Sequence, residues 1–135
     1  MKKAIVVVDM QNDFVDGALG TAEAQAMLPR MVEKLTAARA AGTALVFTMD
    51  THGADYLTTQ EGEHLPVPHC IRGTAGWAIV EELRSFADAA AAVIEKPTFG
   101  ATALPAALAD YDAIEFVGLC TDICVISNAL LVKAF

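Results

Sequence analysis

The sequence contains few basic residues, few cysteines and no long apolar run. Nine lysines and arginines stand against seventeen acidic residues, a formal net charge of -8, which excludes no fold but disfavours nucleic acid as a partner. An odd count of three cysteines argues against a disulfide framework, so we expect a reducing cytoplasm. No apolar stretch is long enough to cross a bilayer, and we expect neither a membrane partner nor a signal peptide.

What the 135 residues do contain is a series of short apolar runs that alternate with helical patterns. Runs rich in β-branched residues indicate buried strands of a parallel sheet. The strands are predicted at 4–8, 44–49, 91–94 and 114–119, and the helices at 22–41, 77–87, 103–109 and from about 122. This order predicts one α/β domain over 1–135, a doubly wound parallel sheet with helices on both faces. Residues 51–74 form a long irregular segment of the kind that is usually functional.

Three chemically active residues each follow an apolar run: Asp9, Lys96 and Cys124. Ligands of open α/β sheets bind outside the carboxyl ends of the strands, so we expect these side chains to share one crevice. Cys124 stands where a strand turns into a helix, which favours a thiolate, and Asp9 could take its proton. Plainer interpretations stay open on position alone: a packed cysteine, an acid that caps a turn and a solvated lysine. Cys120 is expected to be structural by position.

A second group of polar residues follows the second strand. Asp50-Thr-His52 places two ligands on one side of an extended chain, and His69 could complete a set of two imidazoles and a carboxylate. Glu61 and His64 lie in the same segment. Such a set suits zinc, iron or manganese, although histidines in loops are often only hydrogen-bonded.

These segments together resemble a known family. Val7-Val-Asp9-Met-Gln-Asn-Asp-Phe14, Lys96 and Gly118-Leu-Cys-Thr-Asp-Ile-Cys124-Val are similar to the isochorismatase-like cysteine hydrolases. Asp50-Thr-His52 and Pro68-His69-Cys-Ile-Arg-Gly-Thr74 resemble the nicotinamidase (pyrazinamidase) branch, and the motifs occur in the family's order from Lys3 to the C-terminus.

The resemblance implies a role for each matching residue. Cys124 would be the nucleophile, Asp9 the general base and later acid, and Lys96 the group that supports the thiolate. The backbone N–H groups of Cys120 and Cys124 would form the oxyanion hole, next to a cis peptide at Leu119–Cys120.

The same resemblance implies the surroundings of the substrate. Asp50, His52 and His69 would bind a divalent metal, with zinc expected and iron or manganese as alternatives, and Glu61 would be a fourth ligand as in some relatives. The metal would hold the pyridine nitrogen, and Phe14 would line the pocket. The implied reaction is deamidation of nicotinamide, a small pyridine carboxamide, in pyridine nucleotide salvage.

The chain also departs from the family pattern. Leu65 and Val67 occupy a stretch where relatives often carry a tryptophan, and family domains usually continue with two more strands. We therefore expect a truncated C-terminus and an apolar edge at the fourth strand, which favours association with a second copy. Two alternatives stay open: another amide or ether hydrolase of the family, and a non-catalytic binding subunit.

Overall fold

The computed structural model describes residues 2–96 and 102–118, and within these ranges the chain forms a four-stranded parallel sheet. The strand order is β3-β2-β1-β4, so the first strand lies between the second and the fourth. The strands are β1 (Lys3–Val8), β2 (Ala44–Asp50), β3 (Ala92–Lys96) and β4 (Ala113–Gly118). The predicted parallel α/β architecture is confirmed.

Five α-helices and two short 3-10 turns connect or follow these strands in the described ranges. The helices are α1 (Asn12–Val15), α2 (Ala22–Ala40), α3 (Gln60–His64), α4 (Arg84–Asp88) and α5 (Leu104–Ala107). The 3-10 turns are Tyr56–Thr58 and Glu81–Leu83. Among the described residues, no helix combines the length and apolar character needed to cross a membrane.

Alternate residues of β1 point into two separate hydrophobic cores. Ile5 and Val7 pack in one core with residues of α2, β2 and α4, whereas Val6 and Val8 pack in the other with Leu104 of α5. Because both faces of the strand are covered, its sequence is continuously apolar rather than alternating. The layered arrangement expected from the sequence is therefore present, with β1 packed on both faces.

The long helix α2 has local signals at both ends. The Thr21 hydroxyl accepts a hydrogen bond from the backbone N–H of Ala24 at 3.0 Å, which caps the first turn. After Ala40 the chain reverses at Gly42, whose φ of +81° suits glycine. The prediction that Gly42 ends this helix is confirmed.

The predicted helix over 77–87 is wrong in its first part. Residues 77–80 run alongside the chain that follows β1: Val80 N–H donates to the Met10 carbonyl at 3.0 Å, and Asn12 N–H donates to that of Ala78. Gln11 and Ile79 form an isolated antiparallel bridge. These contacts with a distant segment outweigh the helical spacing of the apolar residues, so helical structure begins only at Glu81.

Other boundaries differ by smaller amounts. β3 continues through Lys96 instead of stopping at residue 94, and β2 includes Asp50, so both polar residues are still held by strand pairing. The predicted short helix over 103–109 is present as α5. The helix predicted from about residue 122 lies outside the described residues.

Gly118 offers a test of how closely β4 must approach β1. It has a φ of +132°, and an added Cβ would overlap the carbonyl oxygen of Val8. We expect Gly118→Ala to lower the free energy of unfolding by about 3 kcal/mol or more, because backbone strain alone costs roughly 1–3 kcal/mol and a steric overlap is added. Urea unfolding measures the change.

Gly42→Ala is the matched control, since Gly42 also has a positive φ but has no atom within 4 Å of the added Cβ. That variant should lose only about 1 kcal/mol. Equal losses in the two variants would show that the contact with Val8 contributes nothing.

Candidate active site and metal centre

A buried group of charges lies at the carboxyl ends of three adjacent strands. Asp9 directly follows β1, Asp50 ends β2, and Lys96 ends β3 in register with Asp50. The Lys96 ammonium lies 2.9 Å from Asp9 Oδ2 and 3.7 Å from Asp50 Oδ1. Thr48 donates its hydroxyl to Asp9 Oδ1 at 2.9 Å. The two carboxylates thus compensate a lysine that is only 1% exposed, as a buried charge requires.

The Asp50 carboxylate is strongly biased towards its charged form. Burial by itself raises the pKa of Asp50, but hydrogen bonds with His52 and His69 and the charge of Lys96 outweigh it and lower the pKa to about 2. Asp50 Oδ1 faces Lys96, whereas Oδ2 lies 2.9 Å from His52 Nε2 and 3.3 Å from His69 Nε2. One carboxylate therefore contacts the lysine and both imidazoles.

Four side chains form a group that could hold a metal ion. Asp50, His52, Glu61 and His69 each offer one ligand atom, and these atoms all lie within 4.8 Å of one another. His52 Nε2 is 3.1 Å from Glu61 Oε2. The structure therefore brings together all four residues that the family resemblance predicted as metal ligands. His64, the third histidine, is exposed and outside the group.

Backbone pairing fixes the two histidines. His52 lies on a short parallel bridge to Ile71, donates its N–H to the Cys70 carbonyl and accepts from the N–H of Arg72. The His69 ring makes a 2.7 Å contact between Nδ1 and the Val67 carbonyl. The long segment between 51 and 74 is therefore folded back on itself, which places His69 opposite His52.

Glu61 reaches the group because α3 packs closely on the preceding 3-10 turn. Thr59 caps α3 by accepting from the N–H of Gly62 at 3.1 Å. At Gly62 an added Cβ would overlap the carbonyl oxygen of Tyr56. Only a glycine allows this approach, which turns the neighbouring Glu61 towards His52.

The donor atoms fit a divalent cation on two observations. The Val67 carbonyl can only accept, so His69 Nδ1 carries the proton, and in the neutral ring Nε2 then presents a lone pair to Asp50 Oδ2. Two acceptors at this distance need a proton or a cation between them. Glu61 Oε2 is buried and makes no hydrogen bond within the described ranges. Two imidazoles and two carboxylates are ligands that zinc, iron and manganese accept.

The same crowding shifts two further groups in the metal-free protein. Burial, followed by the charge of Asp50, raises the pKa of Glu61. Burial lowers the pKa of His69, but hydrogen bonds with Asp50 and the Val67 carbonyl raise it more, so the net change is upward. Both groups hold protons more tightly than usual, which is how a set of metal ligands without its ion relieves repulsion.

Aromatic rings surround the imidazoles. Tyr56 is 1% exposed, and its ring centre lies 4.7 Å from that of His52 and 5.0 Å from that of His69. Its hydroxyl donates to the Leu65 carbonyl at 2.8 Å. Phe14, expected to line the pocket, is buried and packs edge-on against His69 with 5.5 Å between ring centres. These rings limit the orientations open to both histidines.

The remaining predicted site residues cannot be placed. Cys120, Cys124 and the Leu119–Cys120 peptide lie outside the described residues. The strand that leads to them does end at the site, because Gly118 is in register with Val8, the residue before Asp9. The first and fourth strands are thus neighbours in the sheet, so the segment that follows β4 begins beside Asp9.

Sequence reasoning missed three residues of the site. Thr48 inside β2 and Gln11 beyond β1 are fully buried polar residues, and Tyr56 packs on both imidazoles. For the first two the available signal was a polar side chain inside an apolar strand, as with Thr48, or three residues beyond one, as with Gln11. Neither signal identifies the partner.

The fold and the site together define an α/β protein in which a buried aspartate–lysine pair lies beside a group of side chains that could bind a metal ion. A family model described as the isochorismatase domain matches residues 3–134, so the chain belongs to the isochorismatase family of hydrolases. No curated protein matches the chain.

Solved structures agree with this assignment. A nicotinamidase/pyrazinamidase from Bacillus subtilis is 31% identical with a TM-score of 0.84, over 96% of this chain and 78% of that one. An N-carbamoylsarcosine amidase from Thermoplasma acidophilum is 30% identical with a TM-score of 0.82, over 96% and 75%. A pyrazinamidase from Pyrococcus horikoshii, solved in complex with zinc, is 26% identical with a TM-score of 0.76, over 96% and 77%.

The lowered pKa of Asp50 predicts how the metal-free protein responds to acid. The pKa of Asp50 is about 2 in the folded protein against an ordinary value of 3.8, so the unfolded chain binds more protons between these two pH values. Asp50 therefore stabilises the fold above about pH 4, and this contribution is lost as the pH falls towards 2. Relative to Asp50→Asn, the unsubstituted protein should lose about 2 kcal/mol of unfolding free energy between pH 5 and pH 2.

Urea unfolding in the presence of a chelator measures this difference at each pH. Asp16→Asn is the control, because Asp16 is exposed and is not part of the buried cluster. A constant difference for Asp50→Asn would contradict the assigned ion pairing.

Proposed function

We propose that this protein deamidates nicotinamide, or a close pyridine carboxamide, to the carboxylate and ammonia through a cysteine thioester. Membership of the isochorismatase family supports a hydrolase that acts on amides. The similarity to a nicotinamidase/pyrazinamidase supports the substrate class. The cytoplasm is the proposed compartment.

The observation that carries the proposal is the double contact of Asp50. Its Oδ1 faces Lys96, which is paired with Asp9, and its Oδ2 faces both histidines. The proton-transfer group and the metal ligands are therefore one connected cluster. A pyridine carboxamide has a ring nitrogen and an amide carbonyl a few ångströms apart, so it could meet both halves of this cluster at once.

In the proposed reaction Asp9 moves the proton. Cys124 gives its thiol proton to the Asp9 carboxylate, and the sulfur attacks the amide carbonyl carbon to form a C–S bond. Asp9 then gives the proton to the amide nitrogen, the C–N bond breaks and ammonia leaves. In the second half Asp9 takes a proton from water, hydroxide adds to the thioester, the C–S bond breaks, and the sulfur recovers the proton.

Lys96 and the backbone stabilise charge during these steps. Once Asp9 is protonated, the nearby ammonium of Lys96 favours the thiolate. The N–H groups of Cys120 and Cys124 would bind the oxyanion. A divalent ion on Asp50, His52, Glu61 and His69 would supply a Lewis-acid contact that orients the pyridine ring.

The nucleophile is tested by Cys124→Ala. We expect ammonia release from nicotinamide to fall by a factor of about 10⁴ or more, because the proposed thioester forms on the Cys124 sulfur. Cys120→Ala is the matched control, since its proposed role uses only the backbone N–H, and it should stay within about threefold of the unsubstituted enzyme.

Alkylation by iodoacetamide gives a second readout on the same proteins. Cys124 should react faster than free cysteine at neutral pH. Slow alkylation together with no ammonia release from the unsubstituted protein would support the non-catalytic binding role instead. Unchanged turnover in Cys124→Ala would refute the assignment of Cys124 as the nucleophile.

A second candidate substrate class is a small non-aromatic amide. The similarity to an N-carbamoylsarcosine amidase favours it, and so does Leu65, which is 40% exposed at a stretch where a ring-stacking tryptophan was expected. An ammonia-release assay over nicotinamide, pyrazinamide and N-carbamoylsarcosine separates the two candidates.

His52→Ala sharpens this test because the metal should matter only for a ring-nitrogen substrate. We expect the variant to lose bound zinc, and its kcat/KM for nicotinamide to fall about 100-fold or more. His64→Ala, at the exposed histidine outside the group, is the control and should change neither. Metal analysis and steady-state kinetics give both readouts. Full nicotinamide turnover in a zinc-free His52→Ala would contradict the proposed role of the metal.

A further inference from the structure

Gln11 has a fully buried side chain that makes three hydrogen bonds to backbone atoms. Its Oε1 accepts from the N–H of Asp50 at 2.8 Å, and its Nε2 donates to the carbonyl of Asp50, also at 2.8 Å. Nε2 donates its other proton to the Trp77 carbonyl at 2.8 Å. Both amide protons and one oxygen lone pair of the carboxamide are therefore used in hydrogen bonds to the backbone of Asp50 and Trp77, which lie 39 and 66 residues further along the chain.

These hydrogen bonds replace the backbone pairing that Asp50 of β2 lacks on the side of β1. β1 pairs with β2 only as far as Val8 and Thr48, and the chain then turns away at Asp9, whose φ is +54°. Two residues beyond Thr48, the N–H and carbonyl of Asp50 point to the same side as those of Thr48, where no strand of the described chain follows. The Gln11 carboxamide has the donor and acceptor of a peptide unit and satisfies both groups.

A third segment is tied to the same point. Trp77 accepts from Gln11 through its carbonyl and donates its indole N–H to the Thr51 hydroxyl at 3.0 Å. Asp50 and Thr51 are therefore held from one side by Gln11 and the Trp77 loop. On the other side the N–H of Thr51 donates to the Lys96 carbonyl at 2.8 Å.

We propose that Gln11 is a positioning residue for the metal centre. Asp50 is the proposed ligand that contacts both histidines and Lys96. The position of its carboxylate depends on the position of its backbone. Gln11 fixes that backbone without contacting the ion, so it acts through Asp50. This inference rests on the metal centre of the proposed function and adds the residue that sets its geometry.

Cobalt(II) titration of two variants tests the inference. Gln11→Glu keeps the shape of the side chain but places a carboxylate oxygen against the carbonyl oxygens of Asp50 and Trp77, where it repels them. Gln11→Met removes all three hydrogen bonds. We expect cobalt affinity to fall about 10- to 100-fold in both, the usual effect of losing a group that orients a ligand. At saturating cobalt the visible absorption bands should shift, because the ligand geometry is altered.

Gln25→Glu is the control, since Gln25 also donates to a backbone carbonyl, that of Val15, but away from the site. Its cobalt affinity and spectrum should match those of the unsubstituted protein. If both Gln11 variants lower only the melting temperature and keep affinity and spectrum, the inference is overturned.

Other outcomes separate the inference from the proposed reaction. A protein whose cobalt affinity depends on Gln11 but which does not hydrolyse pyridine carboxamides would overturn the proposed reaction and leave the inference standing. A protein that binds no cobalt at all would overturn both the metal centre and the inference.

If neither Gln11 variant folds, hydrogen exchange of the unsubstituted protein tests whether Gln11 positions the metal centre. Binding linkage is reciprocal, so an ion that depends on the Gln11 contacts must in turn stabilise them. In the unsubstituted protein, zinc should slow exchange of the Gln11 side-chain amide protons at least tenfold. Unchanged exchange on adding zinc would overturn the inference.

Discussion

The site depends on the ion pairing of a lysine that is closed off from solvent. Lys96 is 1% exposed, and such a charge is tolerable only where carboxylates lie within a few ångströms. Asp9 and Asp50 meet this need from the two neighbouring strand ends. Removing either partner of a buried pair typically costs about 3–5 kcal/mol. The proposed chemistry is thus built on residues that the fold also needs.

Parallel strand order makes this convergence possible. β3, β2 and β1 are neighbours, so residues 96, 50 and 9 fall at one edge of the sheet although they are far apart in sequence. The pairing of β1 ends at Val8 and leaves Asp50 without a strand partner on that side. Thr48 donates a hydrogen bond to Asp9, and Gln11 satisfies the backbone of Asp50. Side chains therefore supply the hydrogen bonds at a point where the sheet is interrupted.

The sequence could predict the sheet and the positions of its strand-end residues because apolar runs are local signals. It could also predict Asp50, His52 and His69 as a cluster, since they flank one irregular segment. It could not predict that 77–80 is non-helical, because these residues pair with the distant chain around Met10. Gln11 was missed for the same reason: its partner lies 39 residues away. The catalytic roles of Asp9, Lys96 and Cys124 stay predictions.

The mixture of charges at the site has an electrostatic consequence. Asp9, Asp50 and Glu61 are carboxylates opposed by the single ammonium of Lys96, so two negative charges are in excess if all are ionised. A doubly charged cation would bring the cluster to neutrality, which a singly charged one would not. Without the cation, the raised pKa values of Glu61 and His69 favour their protonated forms, which reduces the same excess of negative charge. Binding of the ion would then release protons to solvent, so the proposed occupancy of the centre would fall as the solution becomes more acidic.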